Sequence, residues 1–156
     1  MEFDELMRQL AGKMGLSELT PEDGTVAITI DDIPFGFIVD NAAGTLTLVA
    51  DIGQQPGAAD RPLGAMMLKA NFLYEALQGA VLFLNPDNEA FGIEQLFRLA
   101  DLDADCLYGH VERLANLADE WRRIVAGYGV AEKAAQELAA NDPHAGHLNG
   151  GHFLRV

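Results

Sequence analysis

The sequence is poor in cysteine, in positive charge and in long hydrophobic runs. Cys106 is its single cysteine, so no disulfide can form within the chain, which is typical of a reducing compartment. Only 10 lysines and arginines stand against 24 aspartates and glutamates, and the formal net charge is −14. Such a surface repels nucleic acid and anionic membranes, so neither is an expected partner. No apolar stretch approaches the roughly 18 residues of a membrane span, so membrane insertion is not expected either.

The chain does contain enough apolar residues for one hydrophobic core. Hydrophobic residues make up 49% of its 156 residues, which excludes a disordered chain and predicts one folded domain. The first ten residues are acidic and amphipathic. They lack the basic and apolar regions of a signal peptide, so no export signal is expected.

The spacing of apolar residues predicts eight elements. Helical spacing occurs over residues 2–15, 62–78 and 101–126, and alternation or short apolar runs occur over residues 25–31, 33–39, 46–52, 80–84 and 90–97. The predicted order is therefore α-βββ-α-ββ-α. This order is typical of an α+β domain, with an antiparallel sheet and helices packed on it.

The same pattern divides the chain into three parts. Residues 1–126 form the predicted α+β domain. Gly127 and Gly129 are expected to break the last helix, and residues 127–140 are predicted as a short helical extension. Residues 141–156 lack apolar periodicity and are predicted to be a flexible tail.

The helix predicted over residues 62–78 has almost no polar face. Asn71, Glu75 and Gln78 form only a narrow polar line along it. A helix that is apolar nearly all round must be buried on more than one side. The sheet of the same chain buries one side of this helix. A second copy of the chain is the simplest way to bury another side. We therefore expect a homodimer, with an interface of Met66, Met67, Ala70, Leu73, Tyr74, Leu77, Val81 and Phe83.

A protein-binding surface is predicted on the first helix and the adjoining strands. The three-strand meander must end in an edge strand, and a free strand edge can accept an extended peptide. The candidate contact residues are Phe3, Leu6, Met7, Leu10, Met14, Phe35, Phe37, Leu46 and Leu48. On this hypothesis Met7→Asp weakens binding and leaves the dimer intact. The alternative for each residue is a plain core position.

An acidic segment at residues 101–112 has part of the spacing of a calcium-binding loop. Asp101, Asp103, Asp105 and Glu112 occupy ligand positions, but Cys106 stands where that loop needs glycine. The alternative is an acidic first turn of the last helix, with Asp101 or Asp103 as its N-cap. Helical periodicity within the segment favours this alternative.

No catalytic or metal site is expected. His144, His147 and His152 lie in the predicted tail and are not preorganised for metal binding. Cys106 and His110 would share one helix face, but a buried structural cysteine is the favoured interpretation. Nucleotide-binding glycine motifs are missing. We therefore predict a binding protein without enzymatic activity or cofactor.

Taken in order, these segments resemble the type III secretion chaperones of the CesT (Tir chaperone) family. The most specific piece is LKANFLYEALQGAVLFL at residues 68–84, and ADEWR at residues 118–122 is a second marker. The segments LAGKMGL, EDGTVAITIDD and LTLVADIG also fit. The resemblance covers about residues 1–126.

The resemblance implies a small, acidic, cytoplasmic homodimer from a bacterium, without enzymatic activity. Such chaperones hold the N-terminal region of a secreted effector in extended form, keep it secretion-competent and help to deliver it to the secretion ATPase. The implied partners are thus an effector, a second copy and that ATPase. The alternative function is a regulatory or adaptor domain of the same architecture, also without catalysis, that binds a folded protein partner.

Overall fold

The computed structural model describes residues 2–54, 61–72 and 76–140, and it confirms the predicted order of elements. These are α1 (Phe3–Met14), β1 (Thr25–Ile30), β2 (Ile33–Asp40), β3 (Thr45–Gln54), α2 (Arg61–Phe72), β4 (Val81–Leu84), β5 (Ala90–Arg98) and α3 (Ala104–Ala140). The strands form an antiparallel sheet in the order β1-β2-β3-β5-β4. The α+β class is confirmed as well.

Tight polar turns connect the first three strands. Asp31 and Asp32 join β1 to β2 with φ angles of 48° and 64°, in the left-handed region that aspartate tolerates better than most residues. The Asp40 carboxylate accepts hydrogen bonds from the backbone N–H groups of Ala42 and Ala43 at the β2–β3 turn. These turns fix the register of the meander, so alternate apolar residues share one face.

The core lies between that face and two helices. Val26, Phe37 and Leu48 are neighbours across β1, β2 and β3, and all three are buried. α1 and α3 cover them with their apolar stripes. The stripe of α3 contains the residues whose spacing predicted it, namely Leu107, Val111, Leu114, Ala118, Trp121 and Val125.

The opposite face of the sheet is left open in the described part of the protomer. Ile38 of β2 and Leu96 of β5 point to this side and are 45% and 64% exposed. α1 and α3 pack on the other face, and α2 lies beside β4. We call this surface the open face.

α3 continues without interruption to Ala140, so the predicted break at Gly127 and Gly129 was wrong. A glycine inside a helix costs only about 1 kcal/mol relative to alanine, and the alanines around it have the highest helix propensity. Residues 127–140 are helical as predicted. The predicted tail, residues 141–156, lies outside the described residues. No helix in the described part of the chain is long and apolar enough to cross a membrane.

Candidate functional site

The outer edge of β4 is closed by a side chain of α2. The Asn71 amide nitrogen donates a hydrogen bond of 3.0 Å to the Leu82 carbonyl oxygen, and the Leu82 N–H donates one of 2.8 Å to the Asn71 amide oxygen. One amide thus satisfies both outward backbone groups of Leu82, as a neighbouring strand would. This contact orients α2 along the sheet edge and removes Leu82 as a site for strand addition.

We expect Asn71→Leu to destabilise the protein by about 1–3 kcal/mol, because the Leu82 N–H and C=O groups lose their partner. Urea unfolding followed by circular dichroism measures the change. The matched control is Asn116→Leu, the same replacement at an exposed position of α3. Equal unfolding midpoints for both variants would contradict a structural role for the Asn71 amide.

The outer edge of β1 is open beyond its first residue. Thr25 exchanges two backbone hydrogen bonds with Glu22, of 2.8 and 2.9 Å, on the side away from β2. Backbone groups alternate in direction along an antiparallel strand, so the N–H and C=O groups of Ala27 and Thr29 point the same way. Within the described residues, no hydrogen bond outside the sheet involves them. Four backbone groups are therefore in place to pair with an added strand.

A groove of about 440 Å³ lies at the end of this free edge. It separates the C-terminal end of α1, the end of β1 and the first turns of α3, and we call it the β1 groove. Its walls are Met14, Ile30, Asp31, Tyr108, Val111, Glu112, Ala115 and Asn116. The neighbouring Glu112 carboxylate raises the pKa of Tyr108. The β1 groove combines apolar walls with two acidic residues, which suits a ligand that is both apolar and basic.

Most residues predicted to bind a partner lie in the protomer core. Phe3, Leu6, Met7, Leu10, Phe35, Phe37, Leu46 and Leu48 are all buried. Met14 is half-buried and lines the β1 groove. The reason is that α1 and α3 together cover the apolar sheet face, so Met14 is the one large apolar side chain of α1 that stays partly accessible to a ligand. Direct contact between these core residues and a partner stays a prediction.

α2 exposes two large apolar side chains that were not among the predicted contact residues. Phe72 is 81% exposed and Leu68 is 72% exposed. Beside them lies a depression of about 170 Å³ between α2 and β4, whose walls include Met67, Phe83 and Leu84. We call this surface the α2 face. The sequence signal for it was the missing polar face of α2, which does not show how the helix is rotated against the sheet.

The predicted dimer residues are divided between core and surface. Met67 and Leu77 are buried, and Met66, Ala70, Val81 and Phe83 are half-buried. Leu73 and Tyr74 lie outside the described residues. Met67 and Leu77 therefore belong to the core of the protomer itself, and Met66 and Ala70 pack against that core.

Cys106 is exposed, so the interpretation as a buried structural cysteine was wrong. Its Sγ lies 3.4 Å from His110 Nε2, and Arg113 Nη2 lies 2.9 Å from His110 Nδ1. Burial, and then the charge of Arg113, lower the pKa of His110 and favour neutral imidazole. A guanidinium only donates, so Nδ1 accepts and the proton of neutral His110 sits on Nε2, facing the sulfur. In this tautomer His110 cannot act as a base toward Cys106.

The acidic residues around the start of α3 have separate structural partners. Asp103 accepts a hydrogen bond of 2.7 Å from the Cys106 N–H and is therefore the N-cap. Asp105 pairs with Lys13, and Asp101 lies 3.9 Å from Arg98. Among the described residues, no group of three histidine, cysteine or acidic side chains could hold a metal ion. His144, His147 and His152 lie outside them.

Comparison with known proteins gives one family and a consistent fold. The model of the Tir chaperone protein (CesT) family matches residues 5–122. No curated protein gives a significant match to the chain. The ExsC–ExsE complex contains a chain with a TM-score of 0.71 and 15% identity, and the match covers 80% of this chain and 97% of that one.

Two further structures share this fold. The HopA1–SchA chaperone–effector complex matches with a TM-score of 0.65 and 20% identity over 78% of this chain and 93% of that one. The Yersinia pestis type III secretion chaperone SycH, in complex with a fragment of YscM2, matches with a TM-score of 0.60 and 19% identity over 77% and 97%. At these identities the likeness shows the fold.

Proposed function

The chain belongs to the Tir chaperone protein (CesT) family, and on that basis we propose that it is a bacterial, cytoplasmic type III secretion chaperone. It binds the N-terminal region of a secreted effector in extended form and keeps that region competent for secretion. Proteins of this family bind other proteins without catalysing a reaction, so no enzymatic step is assigned. Delivery of the effector to the secretion ATPase belongs to the same proposal and rests on the family alone.

The free edge of β1 beside the β1 groove is the observation that supports extended binding most directly. An incoming strand can form about four hydrogen bonds with the outward groups of Ala27 and Thr29. Alternate side chains of that strand then point toward the β1 groove, where Met14 and Ile30 supply apolar walls. Each apolar side chain buried there contributes about 1–3 kcal/mol. The acidic rim favours lysine or arginine between the apolar residues.

The α2 face supports the second part of the proposal, a homodimer. Two exposed apolar side chains, Leu68 and Phe72, stand next to the apolar depression between α2 and β4. In a two-fold dimer the same patch serves both protomers, so a projecting side chain can enter the depression of the partner. The β1 edge, on the opposite side of the sheet, remains free for the effector.

We expect Thr29→Pro to abolish most effector binding while the protein stays folded. Proline removes the Thr29 N–H, which points away from β2, and its ring obstructs an added strand. The bonds between β1 and β2 do not use this N–H, so the sheet itself is retained. Tagged protein is purified from the native host, and the bound secreted protein is quantified by mass spectrometry. A loss of roughly tenfold or more relative to the wild type is expected.

Thr29→Val is the matched control, since it keeps the N–H and the preference for a strand. It is expected to retain the effector. If wild type, Thr29→Pro and Thr29→Val capture the same secreted protein equally, the β1 edge is not its binding site. If the wild type instead captures a folded protein that is not secreted, the adaptor function replaces the chaperone function.

A further inference from the structure

The open face carries a further apolar pocket, which shares the Phe83 side chain with the depression of the α2 face. Its volume is about 190 Å³, and it lies across β2, β3 and β5 near the turn between β4 and β5. The side chains of Pro34, Val49 and Phe83 form its walls. We call it the open-face pocket.

Two glycines shape the open-face pocket. A Cβ atom at Gly92 would lie 2.3 Å from the Phe83 ring, and one at Gly36 would lie 2.9 Å from Val49 Cγ1. Both distances are shorter than those of real Cβ contacts, so a side chain at either glycine would require Phe83 or Val49 to move. The result is a depression in a sheet surface that would otherwise be flat.

Polar groups stand at the rim of the open-face pocket. The amide oxygens of Asn85 and Asn88 accept hydrogen bonds from the N–H groups of Asp87 and Ala90, of 2.9 and 3.0 Å. Their NH2 groups donate no hydrogen bond within the described part of the chain and can therefore meet the carbonyl oxygens of a peptide. Asp51 adds a carboxylate at the same rim. An apolar side chain within a polypeptide, next to a basic residue, fits this combination.

The open-face pocket and the β1 groove flank the same hairpin turn. Ile30 and Asp31 line the β1 groove, Pro34 lines the open-face pocket, and Asp31 and Asp32 form the turn between them. Arg122 of α3 holds this turn by donating a 3.0 Å hydrogen bond to the Asp32 carbonyl oxygen. Among the described residues, the carboxylates of Asp31, Asp32 and Asp51 form no ion pair. The route from one site to the other therefore passes three carboxylates and one guanidinium, that of Arg122, and its net charge is negative.

We propose that one continuous segment of the secreted effector occupies both sites. The segment pairs with β1, passes the Asp31–Asp32 turn through a basic linker, and inserts a large apolar side chain into the open-face pocket. The inference rests on the proposed function and adds the recognition pattern: an extended apolar stretch, a basic linker and one aromatic or large aliphatic anchor. Two observations favour an effector segment at both sites. Its basic linker complements the negative charge of the route, and the route begins at the β1 groove.

The geometry sets the length of the linker. An added strand and the open-face pocket are separated by about three strand spacings, since the pocket centres on β3 and β1 lies at the edge. At about 4.8 Å per spacing this is roughly 14 Å. A chain advances by about 3.3 Å per residue when extended, so a linker of about five residues spans the gap.

Synthetic fluorescent peptides test the pattern directly. The parent peptide has about six alternating valines and threonines, a linker of about five residues with two lysines, and a terminal phenylalanine. One companion peptide replaces the phenylalanine by glycine, and another replaces the lysines by glutamines. Fluorescence anisotropy gives Kd for each. On the wild type, removal of the phenylalanine should weaken binding by roughly tenfold to a hundredfold.

Paired variants assign that effect to the open-face pocket. Val49→Asp places a charge in the wall of the open-face pocket. It should abolish the difference in Kd between the phenylalanine peptide and the glycine peptide. Thr47→Asp is the matched control, since it adds the same charge to the same face of β3, about 7 Å away between Ile38 and Leu96. Asp51→Asn is a second variant at an exposed position. It should weaken the lysine peptide severalfold and leave the glutamine peptide unchanged.

The outcomes separate this inference from the function on which it rests. Equal Kd values for the phenylalanine and glycine peptides on the wild type overturn the inference. If Thr29→Pro still weakens both peptides in that case, strand addition at β1 stands. If no peptide binds, or if Thr29→Pro changes nothing, strand addition at β1 and the two-site segment are both wrong.

Discussion

The Met7→Asp protein is expected to be largely unfolded at 25 °C. Met7 lies on α1 with 0% of its surface exposed, among the apolar side chains that α1 and α3 place on the sheet. The substitution removes a packed side chain, which costs about 2–5 kcal/mol, and it buries a carboxyl group without a partner, which costs several more. A domain is stable by only about 5–15 kcal/mol in total. Circular dichroism and thermal melting measure the loss.

Met14→Asp is the matched control on the same helix. Met14 is half-buried, and its side chain can turn a carboxylate toward the β1 groove and solvent. This variant should melt within a few degrees of the wild type and lose affinity for the effector. A cooperative melt of Met7→Asp near the wild-type temperature would show that α1 is not part of the stable core. Burial thus changes what Met7→Asp tests: the sequence suggested a binding defect, and the structure indicates a folding defect.

Phe72→Glu is expected to convert the dimer into a folded monomer. Light scattering should give twice the 16.8 kDa protomer mass for the wild type and the protomer mass for the variant. Burying the Phe72 ring on association is worth about 1.5–3 kcal/mol in each protomer. Both copies lose it in a two-fold interface, so Kd for dimerisation should rise by roughly a hundredfold to ten-thousandfold. The protomer does not need the ring for its own stability, because 81% of it is exposed.

Leu16→Glu is the corresponding control, because Leu16 is also an exposed large apolar residue, at 42%, but lies after α1 and away from the α2 face. It should remain a dimer. If Phe72→Glu also remains a dimer at micromolar concentration, the α2 face is not the interface. If the wild type is a stable monomer, the homodimer proposal is wrong.

Local sequence information was sufficient for the elements and their order. The alternation of Val26, Ile28 and Ile30, and the stripe of α3 from Leu107 to Val125, are readable because each depends only on the repeat of a strand or a helix. The N-cap of α3 at Asp103 follows the same local logic. Family membership was also recognisable from these segments, since it depends on residue types in order.

The placement of the site depended on contacts between residues far apart in the chain. β5 lies between β3 and β4, which leaves β1 and β4 as the two edges, and Asn71 then closes β4 at Leu82. No local pattern shows this pairing. Within the described residues, the pairing leaves β1 open to a partner at Ala27 and Thr29.

The sequence by itself determined the helices, the strands, the α+β class and the apolar character of α1 and α2. Only the tertiary structure decided which apolar residues are core and which are surface. The rotation of α1 buries Met7 and leaves Met14 at the β1 groove, while that of α2 buries Met67 and exposes Phe72. The physical reason is that hydrophobicity drives burial without direction, so a helix apolar on several sides is oriented by packing against the sheet and not by its own pattern.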